Sequence, residues 1–129
     1  MNIRAVLTLV VALLPPVALA ADIAGIWKHT EEPGWLEIRM EDGVGTGTVV
    51  RNEVYPERVG RELLKGLVRD ESAQGLWRGQ IYVERLGEYQ DAEISLPEPG
   101  MMRIKLKVGF VSRTIEWISV AEAPLDVVN

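Results

Sequence analysis

The sequence predicts an all-β, antiparallel protein of about eight strands. Three observations support this fold class. Apolar and polar residues alternate along many short segments, Gly, Pro and Asp interrupt these segments at short intervals, and no long stretch has the period of an amphipathic helix. A sheet with one apolar face must bury that face. Because no helix is available to cover it, the strands must form a barrel or a sandwich.

The first 20 residues have the pattern of a removable signal peptide. Arg4 supplies positive charge, residues 5–14 are apolar or small, Pro15-Pro16 follows, and Ala18-Leu19-Ala20 is a small-x-small cleavage site. The apolar run has about ten residues, whereas a membrane-spanning helix needs about twenty. The prolines disfavour the alternative of a buried N-terminal helix. We therefore expect cleavage near Ala20 and a periplasmic or secreted protein.

Cleavage would leave residues 21–129, which we expect to form a single domain, because no biased tract or repeat divides them. The full chain has a formal net charge of −5, and Arg4 is the only charged residue before position 21, so the remainder has 13 basic and 19 acidic residues, about −6. This sign argues against nucleic acid or an anionic membrane surface as a partner. The chain has no Cys and therefore no disulfide.

The predicted strands follow one another with short connections. The clearest has Met102, Ile104 and Leu106 alternating with basic residues. Residues 56–66 hint at one helical turn within a connection, and the sequence leaves open whether a barrel closes beside it. The predicted strands are 23–30, 36–41, 45–52, 63–69, 76–84, 91–96, 102–108 and 113–120.

Charge and apolar patterns predict the register of the last two hairpins. Opposite charges should face each other outside, and apolar side chains should meet inside. Each exposed ion pair contributes only about 0.2–1 kcal/mol, so such pairs select a register without holding the fold together. The expected partners are Glu93 with Lys105, Ile94 with Ile104, Leu106 with Ile115, and Glu116 with Lys105.

Two separated motifs resemble those of lipocalin-type barrels. Gly25-Ile26-Trp27 in the first strand and Arg113 in the last are similar to the Gly-x-Trp motif and terminal-strand Arg of that class. The resemblance implies an antiparallel up-and-down β-barrel of about eight strands, in which the first and last strands are neighbours. It also implies a structural plug at one end, formed by Gly25, Trp27 and Arg113, with the guanidinium over the indole contributing about 0.5–2 kcal/mol.

A longer resemblance covers residues 22–120. The blocks "DIAGIWKH", "GRELLKGLVRD", "LWRGQIYVERLGEYQDAEISL" and "MRIKLKVGFVSRTIEW" are similar, in order and spacing, to a bacterial exported family known as domain of unknown function 2147. The resemblance implies an exported lipocalin-like barrel that begins soon after the signal peptide. The family's usual "DP-x-DGK-x-Y" hairpin reads "VERLGEY" here, which keeps Gly87 and Tyr89 but lacks the Asp-Pro start. The family name implies no activity.

The sequence contains no recognisable catalytic or metal-binding constellation. His29 is the single histidine, and none of Ser72, Ser95, Ser112 and Ser119 lies in a nucleophile motif. The acidic pairs at 31–32, 41–42 and 70–71 have no calcium-loop pattern around them, and a zinc site lacks ligands. We therefore expect no catalytic residue, no metal and no cofactor.

The glycines of "EDGVGTGTVV" do not have the spacing of a phosphate-binding loop. Asp42-Gly43 is instead typical of a hairpin turn, and Gly45 and Gly47 of strand positions that leave no room for a side chain.

Four tryptophans and several methionines suggest an adaptable apolar interior. Our preferred hypothesis is that an apolar or amphipathic small molecule enters the open end opposite the plug, lined by Met40, Trp77, Met102 and Trp117. The alternative is a filled barrel that acts as a non-catalytic interaction or structural module of the cell envelope, because a barrel of this size can be filled by its own side chains.

Overall fold

A computed structural model describes residues 23–125, and they form a closed antiparallel barrel of eight strands. Each strand pairs with the next in chain order, and β8 pairs with β1. The predicted fold class is therefore confirmed, whereas the predicted signal peptide lies outside the described residues. The strands are β1 (Gly25–His29), β2 (Gly34–Glu41), β3 (Val44–Asn52), β4 (Glu62–Arg69), β5 (Leu76–Val83), β6 (Glu88–Glu98), β7 (Met101–Val108) and β8 (Val111–Val120).

The barrel closes between β1 and β8, as expected, and also beside residues 56–66, where the sequence left closure open. Trp27 in β1 lies opposite Leu36 in β2 and Ser119 in β8. The connection between β3 and β4 holds one turn of 3-10 helix, Pro56–Arg58, after which β4 pairs with β3. Among residues 23–125, no helix has the length and apolarity to cross a bilayer.

Two tight turns determine hairpin geometry. Asp42 and Gly43 have φ of 51° and 81°, and two positive values in succession define the type I′ turn that suits strand twist. This confirms the predicted turn between β2 and β3. Gly109, with φ of 63°, opens a two-residue turn that leaves Val108 opposite Val111. Glycine adopts this conformation without the steric cost of a Cβ.

The predicted register is correct for one hairpin and wrong for the next. Glu93 faces Lys105 and Ile94 faces Ile104, as expected. Leu106, however, faces Arg113 instead of Ile115, a displacement of two residues.

A two-residue slip keeps every side chain on its original face, so alternation does not distinguish the two registers. Charge does not distinguish them either, because Glu116 faces Arg103, at 3.7 Å between charged atoms, instead of the equally basic Lys105. The tight turn at Gly109 decides the register.

Glycines on β3 and β5 let those strands pack closely against β4. A Cβ on Gly79 would lie 2.5 Å from Leu67 Cδ2, and one on Gly47 would lie 3.0 Å from Leu64 Cβ. The two leucines therefore fill space that larger residues at the glycine positions would occupy. The largest fully buried side chains are Ile23, Leu36, Ile38, Leu64, Leu67, Ile94, Met102 and Ile104.

The two ends of the barrel differ in packing. We call the end where β1 begins and β8 ends the closed end. There Trp27 is 4% exposed and its Nε1 donates a hydrogen bond to the carbonyl of Ile23 over 2.9 Å. Trp77 is also buried, and the guanidinium of Arg69 lies 5.0 Å from its ring centroid. Indoles therefore fill this end.

The predicted contact between Trp27 and Arg113 is wrong. Trp27 faces Ser119, six residues along β8 from Arg113, which corresponds to about 20 Å along the strand. Gly25 does begin β1, with φ of 134°. The cation that lies over an interior indole at the closed end is Arg69, above Trp77. Closure of the barrel therefore does not depend on the expected plug.

Candidate functional site: a cavity at the barrel mouth

A cavity of about 280 Å³ opens at the end opposite Trp27, which we call the mouth. The mouth comprises the β1–β2 loop, the 3-10 turn and the hairpins β5–β6 and β7–β8. Apolar side chains from four strands form the cavity floor, and they are Val49, Leu63, Ile81, Ile115 and Trp117.

Strand alternation places these floor residues inside the barrel. Ile115 and Trp117 are separated by one residue of β8, so both point to the same face. The cavity lining combines these aliphatic side chains with Trp35, Trp117 and polar rim residues, whereas Trp27, Trp77 and Met102 belong to the packed core.

Trp117 has an unpaired hydrogen-bond donor. The residue is 5% exposed, lines the cavity, and packs edge-on against His29 with ring centroids 4.9 Å apart. Its buried Nε1 has no hydrogen-bond partner among the described residues. Buried donors are nearly always satisfied, so this unpaired donor is a local cost in the wall beside the cavity.

His29 holds the loop beside the cavity. Its Nδ1 accepts the backbone N–H of Glu31 over 3.0 Å and that of Glu32 over 2.9 Å. An acceptor at Nδ1 requires the neutral ring with its proton on Nε2. Burial lowers the pKa of His29 from its ordinary value of 6.5, and the nearby Glu32 and Glu31 carboxylates oppose that effect. His29 is therefore a structural neutral group at the rim.

Two rim guanidinium groups are already engaged. Arg58 Nε lies 3.5 Å from Glu84 Oε1, and Arg61 forms an ion pair with the same carboxylate. Arg58 also covers the ring of Tyr55, with 3.8 Å between its guanidinium carbon and the ring centroid, and Arg61 lies over Tyr82. These contacts tie the 3-10 turn to the β5–β6 hairpin and stiffen one side of the rim.

Arg113 is the third arginine that lines the cavity. It lies on the same face of β8 as Ile115 and Trp117, is exposed, and lines the cavity. Within residues 23–125 its side chain has no hydrogen-bond or ion-pair partner, unlike Arg58 and Arg61. The side chain that was expected to cover Trp27 thus stands at the opposite end of the barrel, as an uncommitted cation at the entrance.

One of the four residues predicted to bind the ligand lines the cavity, and the other three lie elsewhere. Trp117 lines the cavity, but Met40, Trp77 and Met102 do not. Met102 is fully buried in the packed core, and Met40 lies beside Gly45. Sequence analysis missed Leu63, Ile81 and the three rim arginines. Alternation identified inward positions, but it contains no information on which end of the barrel stays open.

Ser72 and His29 lie at opposite ends of the barrel. Ser72 Oγ donates to Asp70 Oδ1 over 2.6 Å in the turn after β4, at the closed end, whereas His29 lies at the mouth. The pair Glu31 and Glu32 lines the cavity rim. Across residues 23–125 no group of three or more His, Cys, Asp or Glu side chains is placed to hold a metal ion.

Comparisons with known proteins support the fold. No family model matches the chain, and no curated protein matches it. Among solved structures it is similar to HP1028 from the human pathogen Helicobacter pylori, described as belonging to the lipocalin family. The TM-score is 0.60 at 14% sequence identity, over 78% of this chain and 84% of that one.

This chain therefore has a lipocalin-like β-barrel fold, and at that identity the likeness concerns the fold alone. The resemblance to the domain of unknown function 2147 family stays a prediction, because no family model matches.

Proposed function

We propose that this protein is a non-catalytic binder of a small apolar or amphipathic molecule, held in the mouth cavity. One observation supports this most strongly: the barrel is packed with indoles at the closed end but keeps about 280 Å³ of space with an apolar floor at the mouth. Apolar pockets with a few polar groups at the edge are the usual form of small-molecule sites.

Removal of apolar surface from water would drive this binding. The contribution is about 25 cal/mol for each Å² of apolar area buried. Floor residues such as Ile81 and Trp117 are already held in place by the sheet, so little conformational entropy is lost when a ligand enters. The affinity for a neutral ligand should therefore change little between low and high salt.

The test fills the cavity by mutation. Leu63→Trp would place an indole in the cavity, whereas Val68→Trp adds the same side chain to an exposed position of the same strand, β4. Binding of the neutral probe 3-phenylpropanamide is measured by calorimetry. At about 100 times its Kd, the probe should also raise the free energy of unfolding by about 2.7 kcal/mol.

Wild type and Val68→Trp should bind the probe equally, and Leu63→Trp should not bind it. If wild type binds neither this amide nor its carboxylate and amine analogues, the proposal is wrong. Equal binding by Leu63→Trp would place the ligand elsewhere and would also contradict it.

The second candidate is an interaction or structural module with a filled interior. Exposed apolar side chains on the mouth loops favour it, because Phe110 is fully exposed at the tip of the β7–β8 hairpin and Val111 beside it is 61% exposed. In that case wild type would bind no probe. Phe110→Ser would then weaken an interaction that co-purification from the native host detects.

We further propose that the protein is exported and acts in the periplasm or outside the cell. Residues 1–20 support this by their signal-peptide pattern. Intact-mass measurement on protein from fractionated cells tests it. The expected mature protein starts at Ala21, and a full-length protein in the cytoplasmic fraction would contradict the proposal.

A further inference from the structure

Two side chains of β8 beside the cavity carry hydrogen-bond donors that have no partner among the described residues. Arg113 has no partner among the described residues, and the buried Nε1 of Trp117 has none either. Both groups donate and neither accepts. They lie on the same face of β8, four residues apart, with Trp117 nearer the core and Arg113 at the entrance. Arg113 is the accessible donor of the two, so a ligand that pairs with it must carry acceptor oxygens.

The volume of the cavity limits the size of the ligand. An apolar protein cavity of about 150 Å³ can accommodate one benzene molecule. The mouth cavity, at about 280 Å³, therefore has room for one ring and a short substituent, and not for a long acyl chain. The floor of Val49, Ile81 and Ile115 provides apolar contact for such a ring.

The rim charges favour a single negative charge on the ligand. Arg58 and Arg61 share the single carboxylate of Glu84, and Glu116 pairs with Arg103. Arg113 has no ion-pair partner among the described residues, while the exposed carboxylates of Glu31 and Glu32 stand on the same rim. One carboxylate can bind Arg113, but further negative charges would be repelled by the two glutamates.

We infer that the ligand is a small single-ring monocarboxylic acid, whose ring lies on the cavity floor and whose carboxylate pairs with Arg113. This inference rests on the proposed function and makes it specific. Guanidinium groups bind carboxylates through two parallel hydrogen bonds, which a lysine ammonium cannot reproduce.

The experiment compares three probes of nearly equal shape: 3-phenylpropionate, 3-phenylpropanamide and 3-phenylpropylamine. Binding is measured by calorimetry on wild type, Arg113→Gln, Arg113→Lys and the control Arg39→Gln. Arg39 is a matched control because it is an exposed arginine that pairs with Glu37 on the outside of β2, away from the cavity. Wild type should bind the carboxylate about tenfold more tightly than the amide, the low end of the range for a hydrogen bond to a charged group.

Arg113→Gln should reduce carboxylate affinity to that of the amide without changing amide affinity, Arg113→Lys should keep part of the preference, and Arg39→Gln should change nothing. Added salt should weaken only the carboxylate, because Arg113 is exposed. Equal binding of acid and amide, or tightest binding of the amine, would overturn the inference but leave the proposed function intact. If none of the three probes binds wild type, the proposed function fails, and this inference fails with it.

Discussion

At the scale of single residues, two buried indoles are in opposite hydrogen-bonding states. Nε1 of Trp27 donates to the fully buried Ile23, whereas Nε1 of Trp117 has no partner among the described residues. The first bond stabilises the closed end of the barrel. The second donor is a local cost of folding.

Replacing each indole by phenylalanine should separate these two states. Trp27→Phe leaves the Ile23 carbonyl without its donor and should reduce the free energy of unfolding by about 1–3 kcal/mol more than Trp117→Phe does. Trp117→Phe is the matched control, because it removes the same ring area but breaks no hydrogen bond. Urea unfolding measures both values, and equal losses would contradict the assignment.

His29 should make stability depend on pH over a defined range. Its pKa in the folded protein is below the ordinary value of 6.5, mainly because of burial. Between the two values the unfolded chain binds more protons than the folded chain, so stability falls as pH decreases from 6.5 through the folded pKa. Above pH 6.5 this contribution is fully present. Protonation also removes the acceptor that Nδ1 offers to Glu31 and Glu32.

An NMR titration of the His29 ring should therefore give a midpoint below 6.5, and His29→Asn should remove this part of the pH dependence. The chain has a single histidine, so the assignment is unambiguous. A midpoint above 6.5 would mean that the rim glutamates outweigh burial.

At the scale of strands, close packing between β4 and its neighbours determines the shape of the interior. Gly79 on β5 leaves no space for a Cβ beside Leu67 Cδ2 and the carbonyl of Lys65, at 2.5 and 2.8 Å. The second of these contacts is with a backbone atom, which cannot avoid the added Cβ by a change of side-chain rotamer. Gly79 therefore controls how closely β4 and β5 approach.

Gly79→Ala should accordingly destabilise the barrel by about 1–3 kcal/mol through overpacking. Gly34→Ala on β2 is the control, because its Cβ would make an ordinary contact at 3.6 Å with Asn52. Urea unfolding of the two variants gives the comparison. If the two substitutions had the same effect, the tight approach of β4 to β5 would not be limiting.

For the molecule as a whole, closure makes the first and last strands neighbours in the sheet. Ile26 near the start of β1 pairs with Val120 at the end of β8. β1 and β8 can stay paired if the polypeptide is joined between them and opened at another place. The barrel should therefore tolerate new termini at a turn.

A circular permutant tests this property. Val120 is joined to Ile23 by about six Gly and Ser residues, which span up to about 20 Å, and the chain is opened between Gly109 and Phe110. Circular dichroism should show the same β structure with cooperative unfolding. Opening the chain between Ile94 and Ser95 instead interrupts the paired strand β6 and should prevent folding. Failure of the first permutant alone would indicate that the β7–β8 turn is required for closure.

Part of the candidate site followed from the sequence and part did not. Trp117 was predicted to line the cavity and does, because its inward direction follows from alternation with its neighbours. Met40 and Met102 were also inward residues, but they belong to the packed part of the core. Arg113 was assigned to the wrong end, because a motif resemblance fixes a residue type and not the register of its strand.

Local sequence was enough to predict the strands, their inner and outer faces and the antiparallel class, because each depends on the polarity of residues close together in the chain. The register of β8 and the location of the cavity depend on contacts between residues far apart in the chain. Shifting a strand by two residues preserves both faces, so the choice comes from the turn at Gly109 and from the packing of distant strands. The pairing of β8 with β1 places Ser119 opposite Trp27, and Arg113, six residues earlier, lies at the entrance of the cavity.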